Sequence, residues 1–262
     1  IQVRLCLYSD RIPKADLLIG TYKKSPLLQE LVDQGQIPLT PAPEALIIQE
    51  LTIGEQTALW ACAYDTRGLL YVLYELLERI KAQSVPALYK PVREEPTFKL
   101  RGVLHFLPPN ELKTGWTIRH DYWQSFFEML IQNRFNSFTL VFNPVSGGSI
   151  FPYLFAVPEQ PEVNPFHISE KLRATNLQTL KELAVLANES GLIFHLGLWN
   201  FYPGDSPLSL RASGLNQETI AVYLYRAIEQ LLFACPEIKG LEFKFHSVPL
   251  IPDFFLNTLI QA

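Results

Sequence analysis

Residues 99–108 read KLRGVLHFLP, and the same kind of short apolar run returns three times, as SFTLVFNP at 137–144, LIFHLGLWN at 192–200 and IKGLEFKFH at 238–246. A longer segment with helical spacing of its apolar residues follows each of the first three runs, at 120–136, 176–191 and 215–236, and a further helix is predicted to start at Asp253. Strands that alternate with helices are typical of a parallel sheet whose outer side is covered. The sequence therefore predicts an α/β fold with four β-α repeats.

Alternation within each run assigns its side chains to two faces, because successive residues of a strand point to opposite sides. One side of each run is wholly apolar, and the other carries polar or mixed residues. A (β/α)8 barrel of the TIM type turns the polar side inward and places its active site at the carboxyl ends of the strands. We place His105 on that polar side and predict that the following residues bind the substrate: His105, Asn143, Trp199, Asn200, Lys244 and His246.

These residue types suit a sugar, because aromatic rings pack on its C–H faces while amide and imidazole groups hydrogen-bond its hydroxyls. A rigid aromatic loop that closes over the barrel is the alternative for the cluster at 199–202. Trp116 and Tyr153 are expected to add to the same mouth. Lower in the strands, we expect an interior ion pair between Arg101 and Glu242.

The number of repeats is half of what a closed barrel needs. Such a barrel has eight strands and typically about 250 residues, whereas the 262-residue chain leaves 168 residues after position 94 (262 minus 94). We therefore expect a partial barrel, the first half of a longer one. A complete, open four-stranded α/β ligand-binding protein is the alternative.

Residues before position 95 predict a separate small α/β domain. Its predicted strands are IQVRLCLY at 1–8, DLLIGT at 16–21, EALIIQEL at 44–51 and TALWACAYD at 57–65. Helices are predicted after Ser25-Pro26 and over 66–81, on one side of the sheet. The segment ALYKPVREEPT at 87–97 reads as a linker, since it holds charges and prolines without periodicity.

Composition excludes several classes of function. With 22 Lys and Arg against 26 Asp and Glu, the net charge is −4, so no basic surplus is available for a phosphate backbone. We expect no nucleic-acid partner, and no membrane contact, since no apolar run approaches the roughly 20 residues of a membrane span. Three well-separated cysteines, and histidines without metal-binding spacing, predict no metal site and no cofactor.

The stretch ALWACAYDTRGLLYVLYELLERI at 58–80 resembles the closing strand and helix of the domain that precedes the barrel in family 20 hexosaminidases and family 67 α-glucuronidases. The matching motif comprises Asp65, Arg67, Gly68, Leu69, Leu70 and Tyr71. Residues 99–108 and 122–143 are similar to the barrel entry of those enzymes, and 214–247 to their third helix and fourth strand. The resemblance implies an N-terminal α/β domain over 1–94 and the first half of a glycosidase barrel over 95–262.

The resemblance also implies hydrolysis of glycosidic bonds in polysaccharide-derived sugars, with a carbohydrate substrate and a secreted or periplasmic protein. In these enzymes the catalytic acid is a Glu just after the fourth strand, but the position that aligns with it here is Val248. The catalytic residues are therefore unassigned, as are the sugar, the retaining or inverting mechanism and the oligomeric state. We expect this chain alone to be inactive. The alternative is a non-catalytic carbohydrate-binding protein that kept the barrel but lost the acid.

Overall fold

A computed structural model describes residues 16–82, 89–107, 109–142, 150–158, 163, 168–199 and 219–244. Contacts divide the chain into two compact units, one of residues 1–100 with 131–134 and one of residues 101–130 with 135–262. The assignment of 1–94 and 95–262 to a hexosaminidase-like domain and a half-barrel stays a prediction.

The first unit is built on a four-stranded mixed sheet. Its strands are β1 (Leu17–Thr21), β2 (Leu46–Ile53), β3 (Gln56–Ala63) and β4 (Val92–Glu94), in the order β1-β3-β2-β4. β1 is parallel to β3, while β2 runs antiparallel to both β3 and β4. In the turn between β2 and β3, Gly54 adopts a φ of 64°, a left-handed conformation that glycine takes without steric cost.

In the part of this unit that the structure describes, two α-helices pack on the sheet, α1 (Pro26–Asp33) and α2 (Thr66–Lys81), and a 3-10 turn over Tyr22–Lys24 precedes α1. The Ser25 side chain caps α1 by accepting a hydrogen bond from Leu28 N, and Pro26 occupies the first helical position, where its missing N–H costs nothing. Both helices form where the sequence predicts them, and α2 has the predicted bounds.

The prediction that helices cover one side of this sheet is wrong. Leu28 of α1 is buried in a core that includes Cys62 of β3. Gly68 of α2 instead lies against Ala63, so close that an added Cβ would be 3.0 Å from the Ala63 Cβ. Neighbouring residues of a strand point to opposite faces. The two helices therefore cover opposite faces, and alternation alone could not show which helix packs on which face.

The segment predicted to be a linker contributes a strand. Val92–Glu94 forms β4, which pairs with residues 46–48 of β2. Three residues beside a proline are too short to show the alternation on which strand prediction depends. The strand predicted at 1–8 lies outside the described residues.

Asp65 to Tyr71, the motif behind the family resemblance, holds the start of α2 to the turn before β2. The Asp65 carboxylate accepts hydrogen bonds from Gly68 N at 3.0 Å and from Glu44 N at 3.1 Å. The Glu44 carboxylate in turn accepts bonds from Arg67 Nη1 and Tyr71 Oη, each at 3.1 Å. The polar residues of the motif therefore have a structural role.

The second unit contains the four predicted runs as one parallel sheet. Its strands are β5 (Gly102–Leu107), β6 (Ser137–Phe142), β7 (Ile193–Trp199) and β8 (Gly240–Lys244), in sequential order. The connecting helices are α3 (Pro109–Thr114), α4 (His120–Gln132), α5 (Phe151–Leu154), α6 (Glu170–Glu189) and α7 (Thr219–Ala234). The helix predicted from Asp253 lies outside the described residues.

One face of this sheet is apolar and covered by α4. The Phe138 ring lies 5.5 Å from the ring of Trp123 and 5.1 Å from that of Phe127, between centroids. All three side chains are buried, and each burial stabilises the fold by about 1.5–3 kcal/mol. The opposite face is left for polar residues. No helix in the described part of the chain is long and apolar enough to cross a membrane.

Candidate functional site

Register places five polar side chains on the face of the second sheet that α4 does not cover. In a parallel sheet, residues directly opposite one another project from the same face. Thr139 pairs with His195, and Ser137 lies two residues before Thr139 on the same strand. Trp199 pairs with Lys244, and Gly197 pairs with Glu242. We call the set Ser137, Thr139, His195, Glu242 and Lys244 the polar cluster.

Hydrogen bonds connect the polar cluster around one carboxylate. Thr139 Oγ1 donates to Glu242 Oε1 at 2.5 Å, and Lys244 Nζ donates to Glu242 Oε2 at 3.1 Å. His195 Nδ1 lies 3.4 Å from Glu242 Oε1 and 3.5 Å from Ser137 Oγ. These contacts hold the His195 ring between the Ser137 hydroxyl and the Glu242 carboxylate.

Two glycines make room for the cluster. An added Cβ at Gly197 would come within 2.4 Å of Val141 Cγ2, and one at Gly240 would come within 2.8 Å of His195 Cδ2. Contacts this short require the neighbouring groups to move, which costs about 1–3 kcal/mol in a packed interior. Glycine at 240 therefore leaves room for the His195 ring, and glycine at 197 leaves room for the Val141 side chain, in the row that also holds Glu242.

Opposing effects set the charge of Glu242. Burial alone would raise the pKa of its carboxyl group, but hydrogen bonds from Thr139 and Lys244, the Lys244 charge and the bond with His195 together lower it. Glu242 is therefore ionised at neutral pH and forms an ion pair with Lys244. Such a group can accept hydrogen bonds from sugar hydroxyls, but it is a poor general acid, which needs a raised pKa.

His105 does not lie on the polar face, so its predicted placement is wrong. It pairs with Leu140 on the apolar side, and its ring centroid lies 5.2 Å from that of Trp123 in α4. Burial there lowers the pKa of His105, although the Glu111 carboxylate acts in the opposite direction. The polar face of β5 instead carries Leu104 and Phe106, which are 37% and 48% exposed.

The other predicted site residues divide into three groups. Lys244 belongs to the polar cluster, and Trp199 is its register partner. Asn143, Asn200, His246 and Val248 lie outside the described residues. Trp116 and Tyr153 were expected at the mouth but are 2% and 0% exposed, which rules out a role as open stacking surfaces.

The predicted pair of Arg101 with Glu242 does not form, since Glu242 pairs with Lys244. Arg101 accepts a backbone bond from Ser137 N just before β5, and alternation places it on the side of His105. Sequence reasoning did not include Ser137 or Thr139 among the site residues. Their spacing of two, which places both hydroxyls on one face of β6, is the signal that identifies them.

Comparisons with known structures support a glycoside hydrolase-like fold. A GH138 enzyme targeting pectin rhamnogalacturonan II matches 77% of this chain with a TM-score of 0.56 and 19% identity. A beta-N-acetylhexosaminidase from Bacteroides fragilis matches 88% of it with a TM-score of 0.51 and 11% identity. No protein-family model matches the chain, and no curated protein matches it.

These likenesses show the fold alone. The chain spans 24% of the length of the GH138 enzyme and 45% of that of the hexosaminidase. The finer resemblance to family 20 or family 67 stays a prediction.

Proposed function

We propose that this chain is the N-terminal part of a glycoside hydrolase-like protein that acts on polysaccharide-derived sugars. The observation that carries the proposal is the match of its fold to glycoside hydrolases, at a TM-score of 0.56 for the GH138 enzyme. In this proposal the second unit is the first half of a (β/α)8 barrel, and sugar binds at the carboxyl ends of β5 to β8. The experiment described below distinguishes a uronide substrate from a hexosaminide substrate.

The polar cluster supports sugar binding at this sheet. Lys244 is the last residue of β8, at the carboxyl edge, and both Lys244 and Glu242 are about one-third exposed. Trp199, their neighbour in register, is the last residue of β7. An ammonium, a carboxylate and an indole are groups that orient sugar hydroxyls and pack on sugar rings.

The second candidate function is carbohydrate binding without hydrolysis. On the described part of the polar face, Glu242 is the one carboxylate, and its lowered pKa makes it unsuitable as the acid. The family position of the acid aligns with Val248. Hydrolysis would therefore need carboxylates from residues that the structure does not describe or from a longer polypeptide.

The test uses the full-length protein and a Trp199→Ala variant. Hydrolysis is measured with aryl glycosides of N-acetylglucosamine and glucuronic acid and with pectin oligosaccharides, and binding of the same sugars is measured by calorimetry. If wild type releases sugar and Trp199→Ala releases it at least about tenfold more slowly, the result supports the hydrolase. A tenfold loss corresponds to about 1.4 kcal/mol of lost binding energy. Binding without release, weakened by Trp199→Ala, supports the non-catalytic protein. Neither binding nor release would contradict both.

A further inference from the structure

Helix α6 carries three buried polar side chains at every third position, namely Arg173, Asn176 and Thr179. A helix that covers a sheet normally turns an apolar stripe inward, and a buried polar group without a partner costs about 1–3 kcal/mol. The inward polar row on α6 therefore needs partners. It finds them in the two chain segments that follow β5 and β6.

Asn176, which is completely buried, bonds to both segments. Its Nδ2 donates to Leu112 O at 2.9 Å and to Tyr153 O at 3.0 Å, and its Oδ1 accepts from Trp116 N at 3.0 Å. Both donors of the amide are used, and so is one of the two acceptor positions on its oxygen. Leu112 and Trp116 follow β5, whereas Tyr153 follows β6.

The other two side chains of the row each hold one segment. Thr179 Oγ1 donates to Trp116 O at 2.8 Å, and Arg173 Nε donates to Pro152 O at 3.0 Å. Among the described hydrogen bonds, Asn176 is thus the side chain of α6 that reaches both segments. Its removal would leave one backbone N–H and two backbone carbonyls without this partner.

The location of these segments connects them with the site. Connections that follow parallel strands leave from the carboxyl edge of the sheet, where ligands of such folds bind. Helix α6 returns from that edge, so Arg173 to Thr179, in its first half, lie near it. The side chains of Trp116 and Tyr153 are buried and their backbones bond to this helix, so the two residues act as anchors of the segments.

We propose that Asn176 is a positioning residue that fixes the segments after β5 and β6 relative to each other and thereby shapes the rim of the sugar site. The link between the segments is a property of the fold, and its effect on sugar rests on the proposed function. Loss of Asn176 would loosen both segments together, whereas loss of Thr179 would loosen the first one only.

Hydrogen exchange tests the link on the whole chain. In Asn176→Leu, which keeps the approximate volume but has no polar group, exchange of amides in 109–116 and 150–155 should rise at least about tenfold, while β6 keeps its protection. The matched control is Leu183→Ala, which removes a fully buried side chain from the same helix. Leu183→Ala should not accelerate hydrogen exchange selectively in 109–116 and 150–155. Unchanged exchange in both segments of Asn176→Leu would overturn the proposal.

Thr179→Ala keeps the proposal testable if Asn176→Leu does not fold. It should accelerate exchange in 109–116 and leave 150–155 unchanged. Faster exchange in neither segment, or equally faster exchange in both, would count against the separate roles of Asn176 and Thr179.

Binding of the pectin oligosaccharides used above is the second readout. Asn176→Leu should bind them at least about fivefold more weakly, the effect of one lost hydrogen bond, and Leu183→Ala should bind them normally. Loosened segments with normal binding would overturn the rim role.

A wild-type protein that binds no sugar would contradict the proposed function, and the exchange comparison would then decide the positioning role on its own.

Discussion

Glu242 shows at the scale of one residue how a charged group is kept inside a parallel sheet. A carboxylate that is partly buried without partners would be destabilising, but Thr139, His195 and Lys244 each contact this one. Their hydrogen bonds outweigh the effect of burial and lower its pKa. The ionised form is thus stabilised by folding, which makes stability depend on pH.

The direction of this dependence follows from the lowered pKa. The pKa of a Glu side chain in an unfolded chain is about 4.3. Between this pKa and the lower pKa of Glu242 in the folded protein, the unfolded chain binds more protons than the folded one. Stability therefore falls as pH falls through this range. We expect the stability advantage of wild type over Glu242→Gln to be constant above about pH 6 and to shrink as pH falls towards about 3. Urea unfolding over this pH series measures it.

Thr139→Val is the companion variant, because it removes one of the bonds that lower this pKa. The difference in the free energy of unfolding between wild type and Thr139→Val should shrink over the same acidic range. A difference that stays constant with pH in both variants would show that Glu242 is not held ionised by these partners.

At the scale of an element, α2 depends on its first turn. Asp65 satisfies two backbone N–H groups, that of Gly68 within the helix and that of Glu44 in the turn before β2. Glu44 has a φ of 65°, so its backbone needs this additional support. The Asp-x-Arg-Gly motif therefore specifies where α2 begins and attaches that end of the helix to the turn before β2.

We expect Asp65→Ala to lower the free energy of unfolding by about 2 kcal/mol, the upper end for a helix cap, because a second N–H loses its partner. Ser25→Ala is the matched control, since the Ser25 hydroxyl caps α1 through a single bond to Leu28 N. It should cost about 1 kcal/mol. Chemical denaturation of both variants measures the difference, and equal costs would refute the double role of Asp65.

At the scale of the whole molecule, the polar face of the second sheet is unusual in its exposed apolar side chains. Leu104 and Phe106 project from the same face as the polar cluster and are 37% and 48% exposed. In a closed barrel the interior is filled by side chains from opposite strands. The half-barrel proposal therefore predicts that further strands would bury Phe106.

The same substitution in two proteins tests this closure. In the present chain Phe106→Ala should cost about 1 kcal/mol, because half of the ring is already in water. In the longer protein it should cost about 3–5 kcal/mol, the usual loss for a core phenylalanine. Leu196→Ala, at a fully buried position, should be costly in both. A small cost for Phe106→Ala in the longer protein would show that no strand covers β5.

Much of the fold follows from local patterns. The four strands of the second sheet, its three long helices and the bounds of α2 were predicted because alternation and helical spacing depend on neighbouring residues only. The short helices α3 and α5 and the first turn of α6 were not predicted. β4 was missed because its pairing with β2 stabilises three residues that have no pattern of their own. The packing of α1 and α2 on opposite faces depends likewise on contacts far apart in sequence.

The candidate site was predicted in part for the same reason. Lys244 lies on the polar face, as expected, since charged residues at a spacing of two indicate that face unambiguously. His105 does not lie on the polar face. Because β5 has apolar residues on both sides, its single polar residue, His105, was taken to mark the polar face, although it lies on the apolar one. Register with β6 and contact with Trp123 decide its place.

The sequence by itself thus determined the order and type of the longer elements and the polar side of three strands, because these depend on interactions between near neighbours. Tertiary structure alone decided the orientation of β5, the partners of Glu242 and the burial of Trp116 and Tyr153, whose backbones bond to α6. Those features depend on register and packing between distant segments, where the energy of several contacts outweighs the preference of any one residue.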